Sequence, residues 1–220
     1  MTQSGSADVV IVGGAVVGSS VAAHLVALGF RGRVVVVEPD PTYGRAATAL
    51  SASGIRRQFS NALNVRISAY GVEVIRALGL DFHEHGYLYL AATPAQEATL
   101  RANHATQLAE GAEVALLDPA ALAARFPHLE TGDLRLAALG LRGEGWFDNM
   151  GLLAAFRAQA RAGGVAYLRD RVTRYPGLTG KRLFRELKEL GYGGGYTVVT
   201  DFLRDVRPAA AERGYEVRFE

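Results

Sequence analysis

The 220-residue sequence contains no cysteine. That excludes disulfide bonds, thiolate metal centres and any cofactor attached through a cysteinyl sulfur. The sequence also has no low-complexity tract and little excess of either charge, with a formal net charge of +2. Its most apolar stretch, Val9 to Leu28, is interrupted by Gly13, Gly14, Gly18, Ser19, Ser20 and His24, and no basic segment precedes it. The marks of a signal peptide or a membrane span are therefore missing, and a cytoplasmic protein is expected. What remains is a globular composition, 49% hydrophobic and 21% charged, long enough for one ordinary domain or one domain plus a fragment. Charge is uneven along the chain. Residues 171–220 carry ten Lys/Arg against seven Asp/Glu, whereas the first 170 carry fourteen against fifteen, which suggests separate ancestry or partners for the tail.

The stretch from Asp8 to Glu38 carries the strongest pattern. Val9, Val10, Ile11 and Val12 form a β-branched run suited to a buried parallel strand. The turn Gly13-Gly14-Ala15-Val16-Val17-Gly18 follows, then a helical segment to about Leu28. Gly29 stands at the helix stop, and Arg33 to Val37 make a second strand that ends in Glu38. This strand–turn–helix–strand order with a terminal acid is the context that gives a glycine-rich turn its meaning as a dinucleotide-binding unit. Gly13 permits the sharp turn, the helix N-terminus presents free N–H groups to a pyrophosphate, and Gly18 permits close helix–sheet packing. Glu38 can accept hydrogen bonds from ribose hydroxyls, and its charge disfavours a 2′-phosphate. The pattern departs from G-x-G-x-x-G at one place, where Ala15 replaces the second glycine.

Further along, Ser51 to Ser60 reads as a ligand-facing loop. Asn64 to Leu78 is predicted helical, with Val65, Ile67, Val72, Val74, Ile75 and Leu78 on its apolar side. Gly86 to Ala92 is a predicted strand. Thr93-Pro94-Ala95-Gln96 predicts a capping box opening a helix to about Glu110. A short helix follows Asp118-Pro119, Asp148 caps a helix to about Ala162, and Val165 to Leu168 form a strand.

Three segments, DVVIVGGAVVGSSVAAHL, ASGIRRQFS and GEGWFDNMGLLAAFRAQARAGGVAYLRDRV, carry a resemblance from Ala7 to Val172. In order and detail they resemble the flavin-dependent amine oxidoreductases of the D-amino-acid oxidase and sarcosine oxidase superfamily. The resemblance implies an α/β fold, a Rossmann-like FAD-binding lobe (incomplete) with part of an inserted α+β substrate lobe at about residues 80–145. It implies FAD rather than NAD. The adenosine half is expected on Gly13, Gly14, Ala15, Gly18 and Glu38, with Ser53, Gly54, Arg56 and Gln58 near the pyrophosphate or flavin, and Val172 meeting adenine through its backbone. The implied substrate is a small amine or amino acid, losing hydride from the carbon beside nitrogen. No catalytic residue follows from the motifs.

After Val172 or Thr173 this resemblance stops, and residues 173–220 read as a C-terminal helical tail. Leu183, Phe184, Leu187 and Leu190 line a first helix, Gly191 to Gly195 break it, and Tyr196 to Val206 form a second that Pro208 ends. The tail resembles the helix-turn-helix of IstA-type insertion-sequence transposases, which implies DNA as a partner. Lys181, Arg182, Arg185 and Lys188 are candidates for phosphate contacts, or form a solvated face with Glu186 and Glu189. The combined expectation is a truncated flavoprotein with impaired turnover.

Other chemistry-bearing residues have plain structural readings. His83 and His85 flank Glu84 without a third ligand nearby, so no metal site is expected. His24 is expected to pack, Trp146 to lie in the core or else to stack on a ring, and Arg56 and Arg57 to pair with phosphate or a substrate carboxylate or to be surface charge.

Overall fold

The computed structural model describes residues 7–169 and, beyond them, Phe184, Arg185 and Lys188. In chain order the elements are β1 (Val9–Val12), α1 (Val16–Ala27), β2 (Val34–Glu38), α2 (Ala47–Leu50), β3 (Gly54–Ile55), α3 (Ala62–Ala77), β4 (Phe82–His83), β5 (Leu88–Ala91), α4 (Pro94–Ala109), β6 (Val114–Leu117), α5 (Pro119–Arg125), β7 (Leu136–Gly140), β8 (Gly145–Phe147), α6 (Asn149–Ala162) and β9 (Ala166–Arg169). The fold is α/β, as expected. Its elements divide into two compact units, one holding the described residues up to Ala49 and from Leu153 onward, the other holding Leu50–Leu152. The second unit encloses the stretch 80–145.

In the first unit β1, β2 and β9 form a parallel sheet in the order β1-β2-β9. Val34, Val35 and Val36 of β2 are buried, as befits the middle strand of three. Helix α1 crosses from β1 to β2 and packs on both. Its C-terminal turn closes through Leu28 N–H to His24 O and Gly29 N–H to Val26 O. His24 packs beside Phe156, ring centroids 5.7 Å apart.

The second unit contains two antiparallel sheets, β3-β8-β4 and β5-β7-β6. Helix α4 lies on β5, β6 and β7, and α3 packs against α4. Val65, Ala112, Val114 and Ala138 make a buried cluster there, with Phe59, Tyr89, Leu100 and Leu116 packed around it. The predicted capping box is present: Thr93 Oγ1 accepts from Gln96 N–H, and Gln96 Oε1 accepts from Thr93 N–H. Asp118 caps α5 through Ala121 N–H, and Asp148 accepts from Gly151 N–H at the start of α6.

Several expectations need correction. Trp146 is 45% exposed rather than core, because β8 places it against the His83 ring on an open face. Ile67 is also exposed: α3 turns Val65, Val72 and Ile75 inward, and this face does not reach Ile67. Helix α3 begins two residues earlier than predicted, where Asn61 Oδ1 accepts Leu63 N–H at 2.8 Å. The stretch read as a ligand-facing loop contains β3, whose Gly54 and Ile55 pair with Trp146 and Gly145. Val172 and the expected helix-turn-helix in 173–220 lie outside the described residues, except that Phe184, Arg185 and Lys188 are helical.

Candidate functional site

The glycine turn sits at the C-terminal end of β1, where the chain leaves the sheet for α1. Gly13 has φ +93°, a region that side-chain-bearing residues rarely enter, and its N–H donates to Val37 O at 2.8 Å. Gly18 answers a different demand. A Cβ there would run into the carbonyl oxygen of Gly13, so only glycine lets the first turn of α1 lie against the loop. Ala15, which interrupts the glycine pattern, is the N-cap of α1 with φ −66° and ψ −170°, ordinary extended geometry that its methyl group does not strain.

Glu38 ends β2 beside this loop. One of its carboxylate oxygens accepts Gly14 N–H at 2.6 Å, and the other accepts Asp40 N–H at 2.9 Å. The sheet register explains the meeting, since β1 and β2 run parallel with Val12 opposite Val37, and both chains then turn at the same edge. Val16 N–H, in the first turn of α1, donates to Thr48 Oγ1 at 3.2 Å. Behind Glu38 stands Tyr43, 3% exposed, with the Arg157 guanidinium 4.7 Å from its ring centre. Burial pushes the Tyr43 phenol above its ordinary range, against the lowering pull of Arg157. The residues fit a dinucleotide: a turn free of Cβ atoms where the chain must be tight, a helix N-terminus, and an acid held at the loop by its backbone.

The expected site residues Ser53, Gly54, Arg56 and Gln58 lie in the second unit. Ser53 has φ +58°, and its carbonyl accepts Phe147 N–H at 3.1 Å. Gly54, Ile55, Arg56, Phe59, Ser68 and Tyr87 line a cleft of about 290 Å³. Arg56 lies over the Phe59 ring at 5.2 Å. Gln58 is 8% exposed, and its side-chain amide donates to Tyr87 O at 2.8 Å and to Glu144 at 2.9 Å. It is thus engaged in holding the unit together, as is Arg57, whose Nη2 donates to Glu110 O at 3.2 Å.

Sequence reasoning missed Glu144. It is 1% exposed and accepts hydrogen bonds from Arg57 N–H at 2.6 Å, the Gln58 amide and Tyr87 N–H at 3.2 Å. The available signal was a lone acid between Gly143 and Gly145, a place where a buried carboxylate can reach neighbouring backbone. Ser19 and Tyr167 of the first unit were missed as well. His83 Nε2 lies 3.1 Å from an Asp81 carboxylate oxygen, and its ring stacks on Trp146.

The profile of the family described as FAD dependent oxidoreductase (DAO) matches residues 8–194. The chain belongs to this family. Its cofactor is FAD. The match runs past Thr173, so the resemblance to flavoproteins does not stop there as expected. Among curated relatives, FAD-dependent oxidoreductase domain-containing protein 1 of Bos taurus is 42% identical over 183 residues, covering 76% of this chain and 37% of the relative. Mitochondrial dimethylglycine dehydrogenase of Homo sapiens is 29% identical over 172 residues, covering 72% of this chain and 19% of the relative. Among solved structures, L-proline dehydrogenase from P. horikoshii aligns with a TM-score of 0.66 at 27% identity, over 75% of this chain and 44% of that one. The chain thus spans less than half the length of each of these proteins. No helix among the described residues is long and apolar enough to cross a membrane.

Proposed function

We propose that this FAD-dependent oxidoreductase chain carries the adenosine side of the cofactor site for a protein that oxidises a small amine or amino acid at the carbon beside nitrogen. The observation that carries the reading is the Glu38 carboxylate on the N–H of Gly14, which puts an acid at the glycine turn. Gly13, Gly14, Ala15 and Gly18 form the loop for the pyrophosphate, and Glu38 offers carboxylate oxygens to the ribose. Ser53, Gly54, Arg56 and Gln58 are proposed to lie near the pyrophosphate or flavin, with the Gln58 amide held by Tyr87 O and Glu144, and Val172 is proposed to meet adenine through its backbone. FAD, when bound, supplies the hydride-accepting chemistry, and the chain's residues bind and orient it.

The substrate class is supported by two relatives whose names specify amines, dimethylglycine dehydrogenase and L-proline dehydrogenase. Since the chain matches 37% of the length of its bovine relative, the reaction is assigned to the whole protein and the adenosine side to these residues.

Calorimetric titration with FAD, NAD and NADP tests the cofactor reading. FAD is expected to bind, NADP to fail, and Glu38→Ala to weaken FAD about tenfold. Binding of NADP as tight as that of FAD overturns the role given to Glu38. Anaerobic mixing of the FAD-loaded whole protein with N-methyl amino acids and with 2-hydroxy acids tests the substrate class. Bleaching of the flavin by hydroxy acids alone overturns it.

A further inference from the structure

The two peptide groups flanking Gly14 are fixed from opposite sides. The N–H of Gly14 is taken by Glu38 at 2.6 Å, and its carbonyl accepts the Ser19 hydroxyl at 2.6 Å. Ser19 is fully buried. Its Oγ in turn accepts the Tyr167 hydroxyl at 3.1 Å, from a residue 148 positions away on β9. Tyr167 is braced by two cations, the Arg157 guanidinium 5.8 Å and the Arg161 guanidinium 5.0 Å from its ring centre.

Donor direction runs one way along this relay. The phenol donates to the serine, and the serine donates its own proton to the Gly14 carbonyl. Each bond polarises the next, so the carbonyl is held more firmly than by a lone serine. A trans peptide is planar and carries its C=O and N–H on opposite edges, and there is no cis peptide among the described residues. Drawing the Gly14 carbonyl inward to Ser19 therefore turns the Ala15 N–H outward, at the entrance to α1. That is the position where the glycine pattern is broken. A methyl group at Ala15 narrows the approach, so the direction of this N–H matters more than in a loop with glycine there.

We infer that Ser19, backed by Tyr167, is a positioning residue of the cofactor site: it sets the Gly14–Ala15 peptide so that the Ala15 N–H is offered to the diphosphate of FAD. The inference rests on the FAD-binding reading above and deepens it. Ser19 touches no cofactor itself. Its effect belongs to ligands that carry the diphosphate.

The test is equilibrium binding of FAD, ADP and adenosine to the full chain and to the variants Ser19→Ala and Tyr167→Phe. Ser19→Ala is expected to weaken FAD and ADP about tenfold and to leave adenosine within about twofold, the loss of one well-placed hydrogen bond. Tyr167→Phe, which keeps the ring beside the arginines, is expected to weaken FAD and ADP about threefold with the same selectivity. Should Ser19→Ala fail to fold, Tyr167→Phe decides alone. Unchanged FAD and ADP binding in a folded variant overturns the inference, and so does a loss that falls equally on adenosine, since that marks general damage to the loop. A parent chain that binds none of the three ligands overturns the FAD-binding reading itself and the inference with it.

Discussion

The Glu144 carboxylate accepts the backbone N–H of Arg57 at 2.6 Å, across 87 positions of sequence. Because the same side chain also takes the Gln58 amide and Tyr87 N–H, it ties the segment after β3 to the entry of β5. Glu144→Ala removes the acceptor for all of them at once. The variant is expected to lose about 3 kcal/mol, and Glu144→Gln about half as much because one acceptor oxygen remains. Urea unfolding followed by Trp146 fluorescence measures both, and a loss below about 0.5 kcal/mol in Glu144→Ala contradicts the assignment.

Two substitutions in the glycine turn should separate sharply. Gly18→Ala forces a methyl group into the Gly13 carbonyl, a backbone atom that cannot swing aside, and is expected to cost about 3 kcal/mol or more. Ala15→Gly is expected to gain about 0.5 kcal/mol, because glycine is the better N-cap and the backbone there is already ordinary. Thermal unfolding of the two variants side by side checks the order.

Acid should weaken the second unit in a defined direction. The Arg76 guanidinium, donating at 2.6 Å, and the Gly143 N–H, at 2.7 Å, hold the Glu84 carboxyl below the ordinary glutamate range. Glu97 is lowered too, by the side-chain hydrogen bonds of Arg101 and Arg135. A carboxyl lowered in the folded state stabilises fully above its unfolded value, about 4.3, and the contribution is lost as pH falls through the lower native value. The urea midpoint is therefore expected to drop between pH 5 and pH 3, and Glu84→Gln to flatten that slope. An unchanged slope removes Glu84 from the account.

The single tryptophan reports on one contact. Trp146 stacks on His83 with ring centroids 4.0 Å apart and an interplanar angle of 17°. His83→Ala opens that face of the indole to water. Emission is expected to shift to longer wavelength, with a stability loss of about 1 kcal/mol or less. An emission maximum identical to that of the parent would show that the stack does not persist in solution.

How much was legible in the sequence depended on how the information was carried. The first βαβ unit was plain because Val9–Val12 and Val34–Val37 are β-branched runs and Gly13 and Gly29 each punctuate a boundary. The helices with caps, α4, α5 and α6, were plain for the same local reason. Strand β7 was not, because Leu136-Ala137-Ala138-Leu139-Gly140 is buried at every residue and shows neither alternation nor β-branching. Strands β3, β4 and β8 are two or three residues long, and pairing alone defines them. At the site, Glu38 could be read from its place after a valine strand. Ser19 and Tyr167 could not, since they meet across 148 positions, and Glu144 showed only as a lone acid between two glycines.

The parallel pairing of β2 with β9 joins Val35–Glu38 to Ala166–Arg169. All of the second unit is encoded between these two strands. During synthesis, at about 5–20 residues per second, β2 therefore waits roughly 6–25 seconds for its neighbour to emerge. Its row of valines and its open hydrogen-bonding edge are exposed to the cell for that interval, long enough for a chaperone to engage it. The intervening unit closes its own sheets from within Leu50–Leu152, where the longest wait is that of β3 for β8. The cofactor sheet is thus the first to be begun along the ribosome and the last to be completed.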